Sequence, residues 1–230
     1  MFIIRKVLIK FFEVLFPKIR YIKVAYSQEG EDLILLRLFP KITKGFYIDI
    51  GAHHPFRFSN TYIFYKRKWR GINIDPRPGA KKLFDKYRPD DINLDIGISE
   101  SESVMKYYMF SDPAINTFSE EQAQKIISEG KYKFLKVKDI PTYPLSTILD
   151  KFISNKNLII DFMTIDVEGF DLEVLKSNNW DLYRPKFILV ESHNASLHDL
   201  DNDKIFLFLK KNNYAIFAKT VYTFIYKDVN

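Results

Sequence analysis

The chain of 230 residues contains no cysteine. That excludes disulfides, thiolate metal sites and cysteine nucleophiles, and it suits a reducing compartment. Any metal must be held by oxygen or histidine ligands, and there are only four histidines. Glycine is also scarce, at 8 residues, and nowhere do three glycines take the spacing that lets a pyrophosphate reach a helix N-terminus. This argues against a dinucleotide, and the lack of a Walker-type loop argues against nucleoside triphosphates. No apolar run is long enough to span a bilayer: Arg5, Lys6, Lys10 and Glu13 interrupt Met1 to Val24. That segment also lacks the uninterrupted apolar stretch and small-residue cleavage site of a secretory signal, so it is expected to stay on the mature chain. There is no repeat, low-complexity tract or linker to suggest a second catalytic domain.

What is present is enough for one large core, with 47% hydrophobic residues. Lysine and arginine total 35 against 29 acidic residues, a net charge of +6, which suits an anionic partner without selecting one. Residues 1–24 form a basic, aromatic-rich amphipathic helical segment, expected either to lie on an anionic membrane surface or to pack on the domain or a second subunit. Residues 25–230 form the domain. The location expected is cytoplasmic, with peripheral contact at the inner face of the membrane as the further option, and the oligomeric state is open.

After the N-terminal segment, short β-rich runs alternate with runs of helical period, the pattern of a mostly parallel sheet with helices on both faces. Strands are expected at Phe46–Ile50, Gly71–Asp75 and Ile92–Ile98. A helix of roughly two turns is expected from Ser59-Asn60, which supply N-cap chemistry, through Tyr62, Phe64 and Tyr65, and another through Leu83, Phe84 and Tyr87. The stretch from Ser101 to Pro144 is less regular and reads as an insertion that shapes a substrate pocket, with strands at Val104–Phe110 and Tyr132–Val137 around a helix Ser119–Ser128. The alternation resumes with helix Leu145–Phe152, strand Leu158–Asp166, helix Phe170–Lys176, strand Phe187–Glu191 and helix Asp203–Lys211. Two terminal strands, Tyr214–Ala218 and Val221–Tyr226, are expected to close the sheet in antiparallel fashion.

In open α/β sheets ligands bind beyond the carboxyl ends of the strands. Four strand ends here carry polar chemistry: Asp49-Ile50-Gly51-Ala52-His53-His54-Pro55, Asp75, Asp166-Val167-Glu168-Gly169 and Glu191-Ser192-His193-Asn194. Gly51 lets backbone approach a cofactor, and a carboxylate at Asp75 is placed to accept hydrogen bonds from both ribose hydroxyls of an adenosine. His53-His54-Pro55 would crowd a pyrophosphate, whereas S-adenosylmethionine has none. Asp166 and its neighbours can bind a divalent cation, position a substrate hydroxyl or act as general base, with Glu168 alternatively capping the following helix.

The runs Tyr26-Ser27-Gln28-Glu29-Gly30-Glu31-Asp32, Asp49 to Pro55, Ser59-Asn60-Thr61, Gly71 to Pro76 and Ile165 to Gly169 resemble the FkbM-type methyltransferases. The resemblance implies a Rossmann-like class I methyltransferase fold with S-adenosyl-L-methionine as cofactor. It also implies O-methylation, often of a sugar hydroxyl in a surface glycan or related metabolite. Carried over by position, it puts Asp49, Gly51 and Ala52 at the methionine end of the cofactor, Asp75 at the ribose and Asp95 near the adenine. Gln28 and Asp32 would cover the cofactor, although Glu31 and Asp32 capping the helix Leu33–Phe39 is an equal alternative. Methyl transfer to oxygen needs alignment and removal of a proton. The candidates are His53 or His54 as base, with Asp166 and Glu168, and Asp166 with Glu191 as a ligand pair for a divalent metal such as magnesium. Either histidine taken alone is equally suited to holding the loop backbone. A glycan or small-molecule acceptor is the expected partner, and no nucleic acid. The competing readings are a non-catalytic membrane- or nucleic-acid-binding module and an NAD-dependent oxidoreductase.

Overall fold

The computed structural model describes Lys18 and residues 21–192 and 197–230. The amphipathic N-terminal segment, apart from Lys18 and its last four residues, lies outside the described residues, as do His193 and Asn194. The chain runs α1 (Glu31–Leu38), β1 (Phe46–Ile50), α2 (Tyr62–Tyr65), β2 (Arg70–Ile74), α3 (Ala80–Tyr87), β3 (Ile92–Leu94), β4 (Gly97–Ile98) and β5 (Ser103–Phe110). It continues with α4 (Glu120–Glu129), β6 (Phe134–Tyr143), α5 (Leu145–Phe152), β7 (Phe162–Ile165), α6 (Asp171–Lys176), β8 (Phe187–Glu191), α7 (Lys204–Lys211), β9 (Tyr214–Lys219) and β10 (Thr223–Asp228).

Seven strands form one sheet in the order β3-β2-β1-β7-β8-β10-β9. The first five are parallel, and β10 enters antiparallel between β8 and β9. This is the expected mostly parallel sheet with an antiparallel C-terminal closure. The order reverses at β1, whose neighbours are β2 and β7, so a crevice opens above the carboxyl ends of these strands.

Central strands are buried on both faces, which explains their near-continuous apolar sequence. Ile48, Ile50, Ile72, Ile74, Met163 and Ile165 share a core cluster with α5, α6 and α7 residues. On the opposite face Tyr47, Phe162 and Leu189 pack with Leu35 and Phe39 and with Phe64 and Trp69. Tyr47 is admitted by Gly71 across the β1–β2 pair, where a Cβ would fall 2.1 Å from the tyrosine ring.

The sheet is bounded on this face by a buried polar cluster centred on Arg88. Its guanidinium donates to Asp91 (2.9 Å), to Thr61 Oγ1 (3.0 Å) and to the Tyr47 hydroxyl (2.7 Å). Arg88 and Asp91 are both fully buried, so each needs the other to compensate its charge.

Several expectations change. The strand expected at Leu158–Asp166 is only Phe162–Ile165, and the helix expected from Ser59-Asn60 is the single turn Tyr62–Tyr65. Ile92–Ile98 is not one strand: β3 stays in the main sheet, while β4 joins a second sheet of order β4-β6-β5. The break allows Gly97 to approach β6 closely, where a Cβ would meet Phe118 at 2.6 Å and Thr142 at 2.7 Å. The strand expected at Tyr132–Val137 runs instead from Phe134 to Tyr143, because pairing with β5 extends it. The insertion is thus a small sheet with α4 packed on Tyr108 and Phe110, standing over the crevice as a wall.

Candidate active site

Between the strand ends and the insertion lies a cavity of about 1030 Å³, at the upper end of the ~300–1000 Å³ that small-molecule sites occupy. Ten carboxylates and three cations line it in a chain of net charge +6. The cavity therefore favours a positively charged ligand where the protein as a whole does not.

Its floor begins at the β1 turn. Gly51 takes φ +81°, and a Cβ there would lie 1.7 Å from the Asp166 carbonyl oxygen, so only glycine lets β1 turn over the end of β7. The N–H groups of Gly51 and Ala52 both donate to the Ile74 carbonyl (2.9 and 3.1 Å). The next N–H, of His53, donates to Asp75 Oδ2 at 2.8 Å, and Arg77 N donates to Oδ1 at 2.9 Å. Asp75 is buried yet lines the cavity. Burial holds its carboxyl above the ordinary value, opposed by the two backbone donors and by Arg77.

The adjacent histidines separate. His53, at φ +51°, lines the cavity. Burial, then Arg77, Arg57 and His54, bring its pKa down to about 4. It is neutral at pH 7, and its conjugate acid is too strong for it to be an effective base. His54 does not line the cavity; its Nδ1 accepts from the N–H groups of Phe56 and Arg57, both at 3.2 Å, and so holds the loop.

Across the floor, Asp166, Glu168 and Glu191 each present an atom within 4.8 Å of the others. Adjacency of β7 and β8 brings Asp166 to Glu191, and a left-handed turn at Glu168, φ +53°, returns that residue toward them. Asp166 is exposed to the open cavity. Desolvation by the surrounding protein, then the like charges of Glu191, Glu168 and Asp171, hold its carboxyl well above the usual range. A cation placed here would relieve that repulsion. Asp171 accepts from Val167 N and Gly169 N (3.3 and 3.2 Å) and so holds this turn.

Gln28 reaches the cavity, but four other expected cofactor residues, Asp32, Asp49, Ala52 and Asp95, do not. Asp32 is fully buried and accepts from Tyr26 N and Ser27 Oγ, both at 2.8 Å, so it braces the turn before α1. Asp49 points behind the loop, where its Oδ2 accepts from Thr61 Oγ1 at 2.6 Å. Asp95 is exposed, and its neighbours Ile96 and Gly97 line the cavity in its place. Ala52 is buried beneath the loop. The insertion contributes Tyr107, Asn116 and Phe118 to the wall, tied to the floor by a bond from Thr117 Oγ1 to the Glu168 carbonyl (2.8 Å). No motif marked these residues in the sequence.

The family model for the methyltransferase FkbM domain matches residues 49–216. The chain belongs to the FkbM methyltransferase family. It is a methyltransferase, and the match covers the crevice from the β1 turn through Asp75, the insertion, Asp166 and Glu191 into β9. No curated protein matches the chain. Among the described residues of this FkbM methyltransferase, no helix is long and apolar enough to cross a membrane.

Proposed function

We propose that this FkbM methyltransferase transfers the methyl group of S-adenosylmethionine to a hydroxyl oxygen, on a sugar unit of a glycan or on a related small metabolite. The observation that carries the reading is Asp75 at the tip of β2. Its two oxygens are oriented by backbone N–H donors, and each keeps a lone pair for a ribose hydroxyl. The acidic lining supports it, because the cofactor brings a sulfonium and an ammonium group. The cavity is also large enough for a nucleoside cofactor and an acceptor together.

In the transfer the acceptor oxygen bonds to the methyl carbon, the carbon–sulfur bond breaks with its electron pair left on sulfur, and the hydroxyl proton passes to the protein. The enzyme supplies alignment and a proton acceptor. His53 is too weak a base for this, and His54 is committed to the loop. The proton is assigned to the Asp166, Glu168 and Glu191 cluster, whose crowded negative charge favours its uptake. The same three hard oxygen donors fit a divalent ion such as magnesium, which when bound would lower the pKa of the acceptor hydroxyl.

Calorimetric titration with S-adenosylmethionine, with NAD as control, tests the cofactor. Binding of the first alone, weakened about tenfold or more in Asp75→Asn, is expected. Well-folded protein that binds neither ligand overturns the proposal. Transfer of labelled methyl to glycan acceptors, with magnesium or with chelator, then tests the hydroxyl and the ion.

A further inference from the structure

The run Ser59-Asn60-Thr61 makes more bonds than the start of a helix requires. Ser59 Oγ accepts from the N–H of Tyr62, the first residue of α2, at 3.1 Å, while the N-cap residue Thr61 makes no side-chain cap bond. The remaining bonds lead elsewhere. Ser59 N donates to the Tyr26 carbonyl at 3.0 Å, two residues before Gln28. Asn60 Nδ2 donates to Thr164 Oγ1 on β7 at 2.9 Å, two residues before Asp166. Thr61 Oγ1 donates to Asp49 Oδ2 on β1 at 2.6 Å, two residues before Gly51.

Three consecutive residues thus hold three separate segments, each two positions upstream of a residue that lines the cavity. Thr61 is fully buried, and its hydroxyl accepts from Arg88 at 3.0 Å. The Asp49 carboxylate at 2.6 Å can only accept, so the Thr61 proton goes to it, and the Ser59 hydroxyl at 3.3 Å is left to donate to Thr61. A bond to a buried carboxylate in a short chain of this kind is strong and directional. Asp49 and Thr164 lie on β1 and β7, so a displacement there moves the strand end that carries Gly51 or Asp166, and Tyr26 opens the bend that carries Gln28.

We propose that Ser59-Asn60-Thr61, backed by Arg88, is a positioning clamp that sets the spacing of Gln28, Gly51 and Asp166 around the methyl donor. This rests on the cofactor assignment above. None of these residues lines the main cavity; they act through the segments they hold.

The test is calorimetric titration of wild type, Thr61→Val and Thr61→Ser with S-adenosylhomocysteine, with thermal unfolding of each. Thr61→Val keeps the shape and loses the donor, and affinity is expected to fall about tenfold. Thr61→Ser keeps the donor and is expected to bind within about twofold of wild type. Ile148→Val, a core change on α5 away from the clamp, is expected to lower the melting temperature with affinity unchanged. Folded Thr61→Val that binds as wild type does, or affinities that simply track melting temperature across all the variants, overturns the clamp. If Thr61→Val does not fold, Asn60→Ala carries the same comparison through the β7 arm. Absence of binding by folded wild type instead overturns the cofactor assignment, and the clamp with it.

Discussion

Gly51→Ala tests whether the β1 turn is built on close backbone approach. The added methyl carbon falls 1.7 Å from the Asp166 carbonyl oxygen and 3.3 Å from a Val167 methyl group. Carbon contacts are comfortable near 3.5 Å, so the turn must open by more than an ångström. The first bond to yield is Asp166 N to the Ile50 carbonyl, now 3.0 Å, at a cost of about 1 kcal/mol. A further ~1–2 kcal/mol comes from placing a Cβ residue at φ +81°. The total of about 2–3 kcal/mol corresponds to a melting temperature lower by roughly 5–10 °C for a chain of this size.

Gly79→Ala is the matched control. Gly79 has nearly the same φ, +85°, but nothing lies within 4 Å of a Cβ built there, so only the backbone cost of about 1–2 kcal/mol remains. Thermal unfolding and titration with S-adenosylmethionine of both variants decide the matter. Gly51→Ala should melt lower than Gly79→Ala and lose cofactor binding, whereas Gly79→Ala should keep it. A Gly51→Ala protein that melts no lower than Gly79→Ala and binds like wild type refutes the steric reasoning.

Arg88→Met leaves Asp91 charged in a buried site without its guanidinium partner; urea unfolding should show a loss of about 3–5 kcal/mol. Burial raises the pKa of Asp49 from 3.8 to about 6, against the opposing influence of Arg88 and Thr61. A carboxyl with a raised folded-state pKa contributes stability below the unfolded value, and that contribution is lost as pH rises through about 6. From pH 4.5 to 7, wild type should therefore lose more stability than Asp49→Asn, by at most about 3 kcal/mol. Parallel stability curves for the two proteins would contradict the burial argument. His54→Ala strips two backbone N–H groups of their acceptor and should cost about 1–2 kcal/mol in thermal unfolding. His53→Ala, whose ring contact is with a half-exposed Arg57, should cost less.

The order of elements was legible because each core segment announces its own period. Phe46–Ile50 and Phe187–Glu191 are strands as expected, and Leu145–Phe152 is a helix as expected. The acidic residues at strand ends were legible for the same reason, since a strand that stops on a carboxylate beside a glycine is a local pattern. The end of Ile92–Leu94 was not legible, because what separates β4 from β3 is pairing with Thr142 and Tyr143, some 45 residues downstream. The direction of Asp49 was equally hidden: β1 is covered on both faces, so alternation does not say which face looks onto the ligand.

The sequence by itself determined the family, the alternating α/β order and the residue types at the strand ends, since these depend on local periodicity and short motifs. Tertiary structure alone decided which of those residues meet. His53 and His54 are neighbours in the chain, yet a positive φ at His53 sends one to the cavity while the other holds the loop. Asp166, Glu168 and Glu191 converge only because β7 and β8 pair and the turn at Glu168 folds back. The partners of Arg88 come from β1, from the turn before α2 and from the loop before β3. Side-chain direction follows from backbone dihedrals and from contacts between distant segments, and neither is written in the local pattern of the chain.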